Sequence, residues 1–303
     1  MDASALRRLV AAALLVAVAS SACSRGTAAS RRDLARRVAT ATTPTVARPT
    51  ADVDRLLPIG SSRARMHLWC TGSGDTTVVL VAGFGGDDSG WGAVAPAVAE
   101  RARVCSYARF GTGTSDAPPT DQTFATQAKD LRLLLRAAGE PGPYVVVGHS
   151  FGGAQAVTFA SLFPREVEGL LLLDATPVSW PAALCAVQDD GSPVAHTLLE
   201  TCGSFADPAS NGERLDVVRA FAEVGAVRSV DDLPMAVLTR ADPAYPGLDE
   251  PQRRALASAW RAGQQDWASL SQDSKLVPIE DTGHHIQDDQ PAVVVRHILA
   301  LAG

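Results

Sequence analysis

The sequence predicts an α/β fold with a mostly parallel central sheet flanked by helices. Three observations carry this expectation. Short apolar segments alternate with helical patterns from about Leu57 to the C-terminus. The segments are continuously apolar rather than alternating, as strands buried on both faces of a parallel sheet require. A Gly-x-Ser-x-Gly turn joins one such strand to a helical pattern.

The predicted strands are Val78–Ala82, Arg103–Tyr107, Tyr144–Gly148, Gly169–Leu173, Ala236–Thr239 and Leu276–Ile279, each bounded by turn residues. Between them, 121–138 reads as an amphipathic helix with Phe124, Leu131, Leu134 and Leu135 on one face. A further helix is expected from about Pro291. Residues 176–233 break the alternation with Pro, Asp and Gly loops and one amphipathic pattern near Glu213–Val224. A mainly helical cap insertion is expected there, since an excursion of that length is usually functional.

The N-terminus has a different composition. Arg7 and Arg8 precede an unbroken apolar run, Leu9–Ala19, followed by Ser20, Ser21, Ala22 and Cys23. Basic, then apolar, then small residues is the layout of a secretory signal peptide over 1–22, and the run is too short to span a bilayer. Small residues before Cys23 also resemble a bacterial lipobox, although Ser20 stands where an aliphatic residue is preferred. A lipid anchor at Cys23 and plain secretion both remain open. Residues 23–54, rich in Ala, Thr, Arg and Pro, read as a flexible linker to a domain over 55–303. Apart from Cys23, four cysteines fit two disulfides in an oxidising compartment, with four buried thiols as the alternative.

The net charge of −6, from 27 basic and 33 acidic residues, disfavours nucleic acid as a partner. The Cys and His spacings form no zinc pattern, and no cofactor is expected.

The strongest signal is Gly148-His149-Ser150-Phe151-Gly152, directly after an apolar strand and before a helical segment. A sharp strand–turn–helix of this kind exposes a serine hydroxyl as a nucleophile. With Val81-Ala82-Gly83-Phe84-Gly85-Gly86 and the late Gly283-His284, it resembles the α/β-hydrolase family from Leu57 onward. The resemblance implies an oxyanion hole from the backbone N–H groups of Phe84 and Phe151. Ala82 stands where the family often has His, which matters little for backbone donors. Arg109-Phe110-Gly111-Thr112-Gly113-Thr114-Ser115 resembles the segment after the family's fourth strand, with Ala108 in place of its usual Asp, and is read as architectural.

By the same resemblance His284 is the general base, with His285 a structural neighbour and His149 packed behind the turn. The triad acid is expected to be Asp242, on Asp242-Pro243-Ala244-Tyr245-Pro246 after the strand Ala236–Thr239. Asp174, at the end of the preceding strand, is the alternative. The implied activity is hydrolysis of a small-molecule carboxylic ester through an acyl-enzyme on Ser150. A cofactor-free perhydrolase or haloperoxidase-like enzyme and a catalytically inactive binding module are the alternatives. The resemblance also makes the strands bearing Cys70 and Cys105 antiparallel neighbours, which implies a Cys70–Cys105 bond, and leaves Cys185–Cys202 as a local bond in the cap.

Overall fold

A computed structural model describes residues 49–303 except Ser62. The signal peptide and lipobox readings at 1–22 and Cys23, and nearly all of the linker, lie outside the described residues.

Eight strands form one sheet in the order β1-β2-β4-β3-β5-β6-β7-β8. They are β1 (Val53–Pro58), β2 (Arg65–Thr71), β3 (Thr77–Val81), β4 (Arg103–Tyr107), β5 (Tyr144–His149), β6 (Val167–Leu173), β7 (Met235–Arg240) and β8 (Ser274–Ile279). β1 pairs antiparallel with β2 and β2 with β4, while the remaining pairs are parallel. β1 corrects the expected boundary: the sheet begins at Val53, inside the stretch read as linker to residue 54. Its Asp54, Arg55 and Pro58 lie on an exposed edge strand, so the apolar signature of the inner strands is absent.

The five residues of β3 and the five of β4 are all buried. Successive side chains point to opposite faces, so Val79, Val81, Val146, Leu170 and Leu172 enter one core while Val78, Leu80, Val147, Leu171 and Leu173 enter the other. The first core is covered by α2 (Phe124–Ala138), α3 (Phe151–Leu162) and α7 (Glu250–Ala268), the second by α1 (Ala95–Ala99) and α9 (Pro291–Ala302). α2 starts three residues later than its periodicity suggests. Thr123 caps it through a reciprocal capping box with Thr126, which leaves residues 121–122 outside the helix.

Between β6 and β7 lie α4 (Trp180–Cys185), α5 (Pro193–Phe205) and α6 (Val217–Val224). α6 is shorter than the expected 213–224 because Asp216 caps it by accepting from the Arg219 N–H; Glu213 sits before it, in the loop. A short α8 (Ile286–Asp289) precedes α9.

Both cysteine pairs are joined, Cys70 to Cys105 and Cys185 to Cys202. Cys70 and Cys105 are direct cross-strand partners of β2 and β4, 4.1 Å apart at Cα. The second bond ties the end of α4 to α5.

Candidate active site

Ser150 ends the tight turn between β5 and α3, with φ 54° and ψ −125°. A side chain in that region is strained, and the surroundings hold it there. Its N–H donates to Leu173 O at 3.1 Å, and its carbonyl accepts from Gly153 and Thr176 N–H. Glycine is required on both sides of the turn. A Cβ on Gly148 would stand 2.4 Å from Gly152 O, and one on Gly152 would stand 2.3 Å from Val81 O. This close approach brings the start of α3 under the loop that follows β3.

His284, after β8, reaches the serine: its Nε2 lies 3.0 Å from Ser150 Oγ. Its Nδ1 lies 2.7 Å from Asp174 Oδ2. An ionised carboxylate only accepts, so the proton sits on Nδ1 and the Nε2 lone pair faces the hydroxyl. Thr176 Oγ1, 3.1 Å from Ser150 Oγ, supplies a further hydrogen bond at the same oxygen.

The expectation that Asp242 partners His284 is corrected here. The Asp242 side chain is 83% exposed, and its carboxylate faces Arg261 at 3.7 Å. The end of β7 supplies donors instead of an acid. Thr239 Oγ1 donates to Asp174 Oδ1 at 2.9 Å and the Arg240 N–H donates to the same oxygen at 3.3 Å. By residue 242 the chain has left the sheet edge for solvent. Asp174 is wholly buried, and Trp260 Nε1–H also donates to it at 2.8 Å. Burial alone would push its carboxyl up, but the hydrogen bond from His284 and the Arg240 charge outweigh that and hold it below the ordinary aspartate range.

His149 packs behind His284, its ring 4.7 Å from that of His284 and 4.8 Å from that of His285. Its Nε2 stands 2.9 Å from the His284 carbonyl, so Nε2–H donates there. Burial pushes this imidazole down to about 3, with the neighbouring His284 adding to the shift, and it stays neutral. Of the remaining histidines, His67 bridges Asp54 and Asp88 at 2.9 Å each. His196 is exposed beside Asp189.

Ser150 and His284 open into a cavity of about 530 Å³, lined chiefly by apolar and aromatic side chains that include Trp180, Leu184, Leu198 and Phe205. Phe84 and Phe151 line it beside the serine, their rings 5.2 Å apart. The Phe151 N–H is at the first position of α3, where a helix leaves its donors free. A Cβ built on Gly83 would stand 3.2 Å from Ser150 Cβ, which places the Gly83-Phe84 loop against Ser150.

Sequence reasoning did not single out Thr176, Trp260 or Arg240, which lack a motif of their own and reach the site through the fold. Among the described residues one group has three closely placed metal-ligand types, Cys70, Cys105 and Glu140. Its cysteines are bonded to each other and its carboxylate to Arg103, so these atoms are already committed.

The strand order, the turn at Ser150 and the covering helices make up an α/β-hydrolase fold. The family described as alpha/beta hydrolase fold matches residues 76–201, which include the turn. The chain is 24% identical to the uncharacterized protein YqjL of Bacillus subtilis over 226 residues, 74% of this chain and 82% of that protein. It is 35% identical to the uncharacterized protein Rv2715 of Mycobacterium tuberculosis over 108 residues, 36% of this chain; the chain spans only 31% of that relative's length. Among solved structures it resembles a thermophilic esterase from Thermogutta terrifontis with TM-score 0.61 at 20% identity, covering 82% of this chain and 99% of the esterase. Similarity at that level speaks for the fold.

Proposed function

We propose that this protein is a serine hydrolase that cleaves a carboxylic ester through an acyl-enzyme on Ser150. The observation that carries the reading is the continuous relay Ser150–His284–Asp174, at 3.0 and 2.7 Å. His284 Nε2 takes the Ser150 proton as Oγ attacks the ester carbonyl. Asp174 holds the imidazole in the required tautomer and stabilises its cation. The N–H groups of Phe84 and Phe151 receive the negative oxygen, and preset donors of this kind are worth about 3 kcal/mol each. His284 then protonates the leaving alcohol, and a water attacks the acyl-enzyme by the same route in reverse.

A largely apolar cavity beside the serine suits an uncharged acyl or alkyl chain. The resemblance to an esterase by fold agrees with this reading and does not carry it. Two disulfides fit a protein exported to an oxidising compartment, either anchored by lipid at Cys23 or released after residue 22. The mass of the mature N-terminal peptide separates these two routes.

Labelling with a fluorophosphonate probe, and turnover of p-nitrophenyl esters of increasing acyl length, test the activity. Ser150→Ala is expected to abolish labelling and to lower kcat by about 10⁴ to 10⁶ with the fold intact. Labelling or turnover that survives this substitution rules the reading out.

A further inference from the structure

Arg109 and Glu213 form a buried pair beneath the loop that follows β3, with side chains 4% and 2% exposed. Arg109 Nε donates to Glu213 Oε2 at 2.7 Å and Nη2 to Oε1 at 3.0 Å, a two-pronged contact. The guanidinium also holds backbone, with the Tyr107 hydroxyl beside it. Nη1 donates to Ala82 O at 2.7 Å, and Nη2 donates to Gly83 O. Glu213 completes the grip from the other side, its Oε1 accepting the Gly85 N–H at 2.6 Å and its Oε2 accepting from Gln127 Nε2 at 2.9 Å. Three consecutive peptides around Phe84 are thereby held by one ion pair.

The Gly83 carbonyl belongs to the same planar peptide as the Phe84 N–H. In a trans peptide the C=O and N–H point in opposite directions. Holding Gly83 O toward Arg109 therefore aims the Phe84 N–H away from it. Gly83 itself lies against Ser150, since a Cβ there would be 3.2 Å from the serine Cβ. We infer that Arg109 and Glu213 are positioning residues for the oxyanion hole: they fix the Gly83–Phe84 peptide with its N–H toward the carbonyl that Ser150 attacks. The inference rests on the proposed serine-hydrolase reading, in which Phe84 supplies a donor.

Glu213 comes from the segment between β6 and β7, which also contributes Leu184, Leu198 and Phe205 to the cavity. Gly111 and Gly212 make the approach close enough: a Cβ on Gly111, at φ +80°, would stand 2.0 Å from Gly212 O. The oxyanion loop is thus completed by the same insertion that walls the pocket.

A hole that presents its donor in advance acts on the transition state more than on the bound ester. Arg109→Lys keeps the charge opposite Glu213 but cannot hold two carbonyls and both carboxylate oxygens. The paired substitution Arg109→Met with Glu213→Leu removes both charges together and leaves neither buried alone. The measurements are kcat and KM for p-nitrophenyl butyrate and Ki for an alkyl trifluoromethyl ketone, whose serine adduct carries the oxyanion. Circular dichroism shows which variants fold.

In a folded variant kcat is expected to fall about 10²-fold and Ki to rise by a similar factor, the scale of losing one oxyanion donor. KM should stay within about threefold, since the bound ester makes little use of the donor. Wild-type kcat and Ki in either folded variant overturn the inference, as does a rise in KM without a matching rise in Ki. If wild type is inert toward these esters, or Ser150→Ala leaves its rate unchanged, the serine-hydrolase reading itself fails and the positioning role with it.

Discussion

Asp174 Oδ1 accepts the indole Nε1–H of Trp260 at 2.8 Å while Oδ2 faces His284 at 2.7 Å. One carboxylate oxygen is thus anchored to helix α7 and the end of β7, and the other faces the imidazole, with Arg240 Nε 3.5 Å away. Asp242 has no such surroundings: its side chain is 83% exposed. Asp174→Asn is expected to lower kcat by about 10⁴, because an amide there favours the wrong imidazole tautomer. Asp242→Asn should leave kcat within about twofold, as a surface change away from the site does. Steady-state kinetics on both variants, with circular dichroism as a folding check, decide the assignment. A larger loss in the Asp242 variant would return the acid to the loop after β7.

Trp260 itself should act on how the acid is held. Trp260→Phe keeps most of the aromatic packing against Trp180, whose ring centroid is 4.9 Å away, but removes the donor. A hydrogen bond to a charged acceptor contributes about 1.5–3 kcal/mol. The variant is therefore expected to unfold at lower urea and to show reduced kcat, with KM little altered. Unchanged stability and kcat would mean that Thr239 and the Arg240 N–H suffice for Asp174 Oδ1.

The inner sheet was legible in the sequence because strands covered on both faces must be apolar throughout, as Val78–Val81 and Leu170–Leu173 are. The turn at Ser150 was legible because it imposes glycine at 148 and 152 at fixed spacing. The pairing of His284 was not. Asp174 and Asp242 both follow apolar strands, and only the path of the chain beyond Thr239 decides which carboxylate turns inward. Arg109 and Glu213 are 104 residues apart, and neither carries a local pattern that announces a buried pair. β1 escaped notice for a related reason: an edge strand needs little apolar surface, and its sequence looks like the linker before it.

Acid should weaken the fold through His149. Buried, its pKa drops from the ordinary 6.5 to about 3. A group whose folded value is depressed contributes stability that is present above 6.5 and lost as pH falls from there toward 3, because the unfolded chain takes up the proton first. In that window this residue adds a slope of about 1.4 kcal/mol per pH unit. Urea unfolding at pH 7.5 and pH 4.5 should show a steeper acid loss for wild type than for His149→Gln, which carries no titrating group. Parallel losses in the two proteins would show that this imidazole is not the one responsible.

The Cys185–Cys202 bond should govern the pocket more than the chemistry. It joins α4 to α5, and Leu184 on the first and Leu198, Thr201 and Phe205 on the second line the cavity. None of these belongs to the Ser150–His284–Asp174 relay. Closing a loop with a sequence separation of 17 stabilises a fold by about 3 kcal/mol on the chain-entropy argument. Local opening of α4 and α5 is favoured when the bond is absent, and the substrate then meets a wall that is less fixed. The double variant Cys185→Ala/Cys202→Ala is expected to raise KM for long-chain p-nitrophenyl esters more than for the acetate, where the wall is barely touched. Its kcat for the acetate should stay near wild type. A matched set of acyl lengths measured with both proteins tests this, and an equal rise in KM at every length would show that the bond does not shape the acyl-binding wall.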